Sequence, residues 1–156
     1  MAASRYRFRP RYKALALSAM GIGALLLVAA FALGLEGAGF TFAVASGIVG
    51  PALGALYLTS PAWRMEVVVR DDGLEVLSDG DRKFLLPWDE VTRVVASPAT
   101  HTCYVSGGDA DRSLIVPGPG ANAPYDLEHK QDLYREILAR VPGGVVEEVE
   151  LLEQAR

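Results

Sequence analysis

Between residues 14 and 63 the chain carries a single charged side chain, Glu36, and it divides two apolar stretches, residues 14–34 and 38–60. A bilayer core of roughly 30 Å is crossed by about 20 helical residues rising about 1.5 Å each, so each stretch is long enough to span. A soluble domain of this size would have to surround such helices with protein on every side. A two-helix membrane hairpin over residues 14–60 is therefore the expectation. An export signal also opens with cations and an apolar run, and Ala30 and Ala32 form an A-x-A-like pair. Its apolar core, however, is only about 7–15 residues long, and here a second spanning stretch follows at once.

Cationic residues stay on the cytoplasmic side of such a hairpin. Arg5, Arg7, Arg9, Arg11 and Lys13 precede the first stretch, the turn at Glu36 has none, and Arg64 and Arg70 follow the second. Residues 1–13 read as a basic cytoplasmic arm that sets topology and faces anionic lipid. Both termini are expected in the cytoplasm of an inner-membrane protein, with Glu36 outside. Tyr6, Phe8, Tyr12, Tyr57 and Trp63 fall where aromatic rings favour the headgroup level.

Within the hairpin no ionisable group lies at depth, and transport or proton relay needs one. Ser18, Thr41, Ser46 and Thr59 can bond to helical carbonyls instead. Ser46, Gly50 and Gly54 form a small-residue ridge at four-residue spacing, which admits a close helix neighbour. Ala19 and Gly23 on the first span offer the matching surface, with a second copy as the alternative partner. Pro51 cannot bond to the carbonyl of Gly47, which predicts a kink.

From residue 61 onward, 18 acidic residues face ten basic ones, a net charge of −8. Nucleic acid and anionic lipid are poor nonspecific partners for such a segment. Its first part alternates as strands do. Met65, Val67 and Val69 share a face, Leu74, Val76 and Leu77 begin a second run, and Phe84, Leu86 and Trp88 a third. Residues 91–96, 102–105 and 113–116 supply three more, with Gly107 and Gly108 in the last hairpin. Asp71-Asp72-Gly73 and Asp79-Gly80-Asp81 are turns. After a Pro/Gly-rich loop, residues 118–124, the period becomes helical through Leu127, Tyr134, Ile137, Leu138 and Val141, with Asp126 placed to cap and Pro142-Gly143-Gly144 to stop. The domain is thus expected over residues 61–142, and the acidic segment 143–156 reads either as a short extra helix or as a mobile tail.

Two spans, short strands, the run Leu85-Leu86-Pro87-Trp88-Asp89-Glu90-Val91 with Val94 and Val95 after it, a glycine hairpin and a closing helix resemble the bacterial pleckstrin-homology-like domains of small membrane proteins. The resemblance covers residues 65–141. It implies a bent antiparallel sheet or barrel of seven strands closed by a C-terminal helix, against the six strands readable here. It also implies a binding or assembly role without a shared reaction. The expected class is therefore an α+β membrane protein, a transmembrane hairpin followed by a small antiparallel pleckstrin-homology-like domain.

Catalytic chemistry is sparse in the sequence. Cys103 is the only cysteine, and His101-Thr102-Cys103 lacks the further pair that a tetrahedral metal site needs. Asp71-Asp72, Asp79 with Asp81, and Asp109 with Asp111 each flank a glycine or lie in a turn, without calcium-loop spacing. Gly118-Pro119-Gly120 has proline where a phosphate cradle needs backbone donors. No catalytic, cofactor or metal residue is assigned, and Trp88 is the candidate anchor of a binding groove or else a core residue. These features favour a membrane-anchored, non-catalytic module for an unidentified protein partner or for copies of itself. The alternative is an accessory subunit of a transport or export complex that acts through its hairpin.

Overall fold

The computed structural model describes residues 3–118 and 123–152. The chain divides into two compact units, Pro10–Ser60 and a second built from Met1–Arg9 with Pro61–Arg156.

The first unit is a helical hairpin of α1 (Lys13–Ala32) and α2 (Gly37–Leu58). At about 1.5 Å per residue each is about 30 Å long or slightly more, enough to cross a bilayer. α1 ends in a Schellman arrangement: Gly34 takes φ +58°, while the Leu35 and Gly34 amides donate to the carbonyls of Ala30 and Phe31. Thr41 and Thr59 donate their hydroxyls to the carbonyls four residues back. Only 17% of each apolar window is buried, and Leu25 is 71% exposed, which distinguishes these helices from the core helices of a soluble domain.

The small residues close the seam between α1 and α2. A Cβ on Gly54 would meet Met20 Cγ at 2.5 Å and the Ala16 carbonyl at 2.9 Å. A Cβ on Gly23 would meet the Pro51 ring at 2.5 Å, so that glycine makes room for the proline of the other helix. Gly50 lies against the Ala19 carbonyl, and the Ser46 carbonyl against Gly23. Gly50 and Gly54 of the ridge therefore face α1. α2 runs through Pro51 as one continuous helix.

The second unit corrects the reading of the N-terminus. Ser4–Pro10, expected within a basic arm, is strand β1. Tyr6 and Phe8, expected at headgroup level, are buried in the core, while Arg5, Arg7 and Arg9 alternate with them on the outer face. β1 pairs antiparallel with β2 (Met65–Val69), in the register Ser4 to Val69 and Arg7 to Glu66. β3 (Gly73–Ser78) and β4 (Asp81–Pro87) follow, joined by Asp79 and Gly80 at φ +53° and +89°, the signs required by a two-residue hairpin turn. β8 (Tyr125–Leu127) completes a five-stranded sheet in the order β4-β3-β2-β1-β8.

A four-stranded sheet stands against it, in the order β7-β6-β5-β9: β5 (Arg93–Ser97), β6 (Thr102–Ser106), β7 (Ser113–Val116) and β9 (Val146–Glu148). The two sheets do not join into a closed barrel. α3 (Lys130–Arg140) adds Leu133, Tyr134 and Ile137 to the shared core. The six strands read from sequence are present, and β1, β8 and β9 are additional among the described residues. Asp126 does not cap α3, because residues 125–127 are extended and the helix starts at Lys130. The segment after Pro142 is neither helix nor free tail: after a 3-10 turn at Gly143–Val145 it becomes β9, parallel to β5. Residues 119–122 of the Pro/Gly loop and 153–156 of the tail lie outside the described residues.

Two outcomes test this architecture. Gly54→Leu should destabilise the hairpin by about 1–3 kcal/mol through overpacking, read as a lower denaturation midpoint in detergent, while Leu25→Phe on the exposed side leaves the midpoint unchanged. Phe8→Ala should cost the second unit about 3–5 kcal/mol; an unchanged midpoint for that unit would show that β1 is not part of its core.

Candidate functional site

Because β1 alternates, its three arginines stand on the outer face of the five-stranded sheet beside the outward residues of β2 and β3. Two of them share one acid: Glu66 accepts from Arg7 at 2.9 Å and lies 3.6 Å from Arg5. Arg9 lies 3.0 Å from Asp126. Burial alone would raise the Asp126 carboxyl, but hydrogen bonds from Arg9 and the Leu127 amide, with Lys130 nearby, hold it below its ordinary value. The remaining two cations of the expected arm lie in the other unit, where Arg11 stands 5.8 Å from the centre of the Tyr12 ring and Lys13 begins α1.

A cleft of about 420 Å³ opens on the outer face, bounded by Arg5, Arg7, Trp63, Arg64, Glu66 and Asp79. Arg64 reaches Asp79 at 3.4 Å. Three guanidinium groups therefore face two carboxylates, and the cleft is locally cationic within a net-acidic unit. With Arg5, Arg7 and Arg9 included, that unit carries thirteen basic against 18 acidic residues, or −5, in place of the −8 read for residues 61–156 alone.

Glu75 is the one acidic side chain among the buried residues of this sheet, only 2% exposed, between Val68 of β2 and Leu85 of β4 in the ladder. Arg70 approaches one carboxylate oxygen at 2.6 Å and Arg82 the other at 2.6 Å. Burial pushes the Glu75 carboxyl up, but the hydrogen bonds from Arg82 and Arg70 outweigh it and leave the group below its ordinary value. The triad fixes the outer face as a rigid polar surface.

The other singled-out residues do not converge. Trp88 is 8% exposed, packs in the core and donates its indole N–H to the Arg70 carbonyl at 3.1 Å, so it is a core residue. Cys103 is fully buried and its thiol is pushed up to about 12, which keeps it protonated. His101, at φ +52°, meets the Tyr134 ring edge-on at 5.7 Å. The acidic turns are separate: Asp79 serves Arg64, Asp71 lies 3.8 Å from Arg140, and Asp109 precedes the 3-10 turn Ala110–Arg112 that contains Asp111. Among the described residues no three His, Cys, Asp or Glu side chains gather as a metal site would require.

The strand edges complete the surface. At β4 the Leu85 carbonyl accepts from Arg112, and at β7 the Ile115 carbonyl accepts from the Tyr125 hydroxyl. At β5 the cover is a backbone strand, β9, anchored where Glu147 accepts from Arg93 at 2.8 and 3.2 Å. Sequence reading missed this strand. Its signal was the β-branched pair Val145-Val146 directly after two glycines.

Replacement of Glu75 by Gln should cost about 1–3 kcal/mol at neutral pH. A depressed carboxyl contributes its stability above the unfolded value of about 4.3 and loses it as pH falls through the lower folded value. The gap between wild type and Glu75→Gln, measured by chemical denaturation, should therefore be constant from pH 7 to pH 5 and narrow below pH 4. Comparison of the chain with protein families, with curated proteins and with solved structures finds no match to any of them.

Proposed function

We propose that this protein is a membrane-anchored interaction or assembly module in which the α1–α2 hairpin tethers a pleckstrin-homology-like domain at the cytoplasmic face. The observation that carries the reading is the β1–β2 ladder. The hairpin is inserted between these two strands, and strands that exchange backbone hydrogen bonds must lie on one side of a membrane. The number of crossings between them is then even, as two apolar helices of spanning length require. The five cations before residue 14, with none at the Glu36 turn, favour the cytoplasm as that side. Two layers, antiparallel except for the parallel β5–β9 pair, with α3 against their core, support the pleckstrin-homology-like assignment.

An interaction role draws its support from the surface. Guanidinium groups held in fixed ion pairs form a rigid, charge-patterned face suited to a protein partner. Gly50 and Gly54 of the hairpin ridge already face α1, which leaves the other unit as the more available surface for recognition.

Topology is tested by labelling intact cells with a membrane-impermeant maleimide, Cys103 being buried and silent. Glu36→Cys should label in intact cells and Asp111→Cys only after permeabilisation; labelling of both in intact cells would overturn the orientation. For the role, the full chain and its Phe8→Ala and Gly54→Leu variants are used as bait in detergent extracts. A partner lost with Phe8→Ala and kept with Gly54→Leu supports recognition by the soluble unit, and the reverse pattern would transfer the function to the hairpin.

A further inference from the structure

The β5 edge differs from the other strand edges in how it is covered. We propose that it is an acceptor for an extended segment of a partner protein, held closed in the free protein by the chain's own β9. The inference rests on the interaction-module reading and names the surface and the partner chemistry.

The cover has the features of a displaceable strand. It is three residues long, pairs in parallel with Val94–Ala96, and Glu147 and Glu148 are exposed. It is joined to α3 through Pro142 and two glycines around which a Cβ would meet nothing within 4 Å. What lies beneath it is finished as a binding surface. Val95 and Ser97 of β5 are buried, at 2% and 0% exposed. The Ser97 hydroxyl donates to the Glu150 carbonyl at 2.6 Å, and the Ala96 carbonyl accepts from the Val149 amide at 2.9 Å. Without an added strand these groups would lie along an open sheet edge, a state that folded proteins avoid.

The tail states what the edge accepts. Val145 and Val146 pack against the core cluster, Glu147 meets the Arg93 guanidinium, and the backbone at 149 and 150 supplies a donor and an acceptor. A ligand in the same register is an extended segment reading branched apolar, acidic, any residue, branched apolar, added in parallel by strand augmentation. The tail competes at the high effective concentration of a short tether, so such a segment binds after the tail has opened.

The test uses the full chain in detergent and a fluorescein-labelled peptide copying residues 145–152, followed by fluorescence polarisation. Glu147→Lys places a cation beside Arg93 and weakens the cover, so the peptide should bind that variant about fivefold more tightly than wild type. Val95→Cys with Glu147→Cys, at paired positions in the ladder, should lock the tail as an oxidised monomer that does not bind, with binding restored by reductant. A peptide with Lys at the position of Glu147 should bind poorly to wild type and regain binding to Arg93→Glu. Equal binding to locked and wild-type protein would overturn the proposal, as would no gain from Glu147→Lys. Oxidation to a disulfide-linked dimer would also overturn it, because the occupant would then be a second copy's tail. Peptide results are independent of partner capture, so a failed edge and a failed interaction role are separable.

Discussion

The antiparallel ladder between β1 and β2 is the constraint on which the rest of this structure depends. Its partners are about sixty residues apart in sequence, with the whole helical hairpin between them. Chain entropy opposes closing so long a connection, although the penalty grows only with the logarithm of its length. Packing of α1 on α2 returns the chain to the side from which it left. The hairpin thereby shortens the effective loop between the two strands. Tyr6 and Phe8 give the ladder its apolar side, and Arg5, Arg7 and Arg9 its polar one.

Electrostatics follow from that pairing. Read along the chain, the N-terminal cations and the acidic remainder look like separate regions. In the fold, Arg5 and Arg7 come beside Glu66 and Arg9 beside Asp126, so acids distant in sequence are matched locally. Most of these pairs are exposed and each contributes little stability. Glu75 is different because it is buried and Arg70 and Arg82 compensate for its lost hydration, so removing either would expose that cost. The surface that results carries both signs of charge in close alternation.

Several parts of the fold were legible because the signal was local. The two apolar stretches, the six central strands and the Asp79-Gly80 turn each follow from a short window of residues. The core role of Trp88 and the internal packing of the small-residue ridge were among the readings open to sequence, and packing selected between them. β1 also carried a signal, since Tyr6 and Phe8 alternate with arginines at period two. Beside an apolar helix the same cations satisfy the positive-inside pattern, so two physical explanations competed for the same residues. β8 and β9 gave weaker signals because three-residue strands are too short for periodicity to register.

The sequence by itself determined what depends on composition and nearest neighbours: two helices of spanning length, the sign and position of their flanking charges, and alternating strands before an amphipathic helix. Hydrophobic length and period act within a single element, so no knowledge of its neighbours is needed. Only the tertiary structure decided which distant segments share a sheet, that the N-terminal strand belongs to the sheet-bearing unit, and that the acidic tail closes the β5 edge. Those outcomes rest on backbone hydrogen bonds and ion pairs between residues about fifty or more apart, and a backbone amide carries no mark of its partner in the sequence.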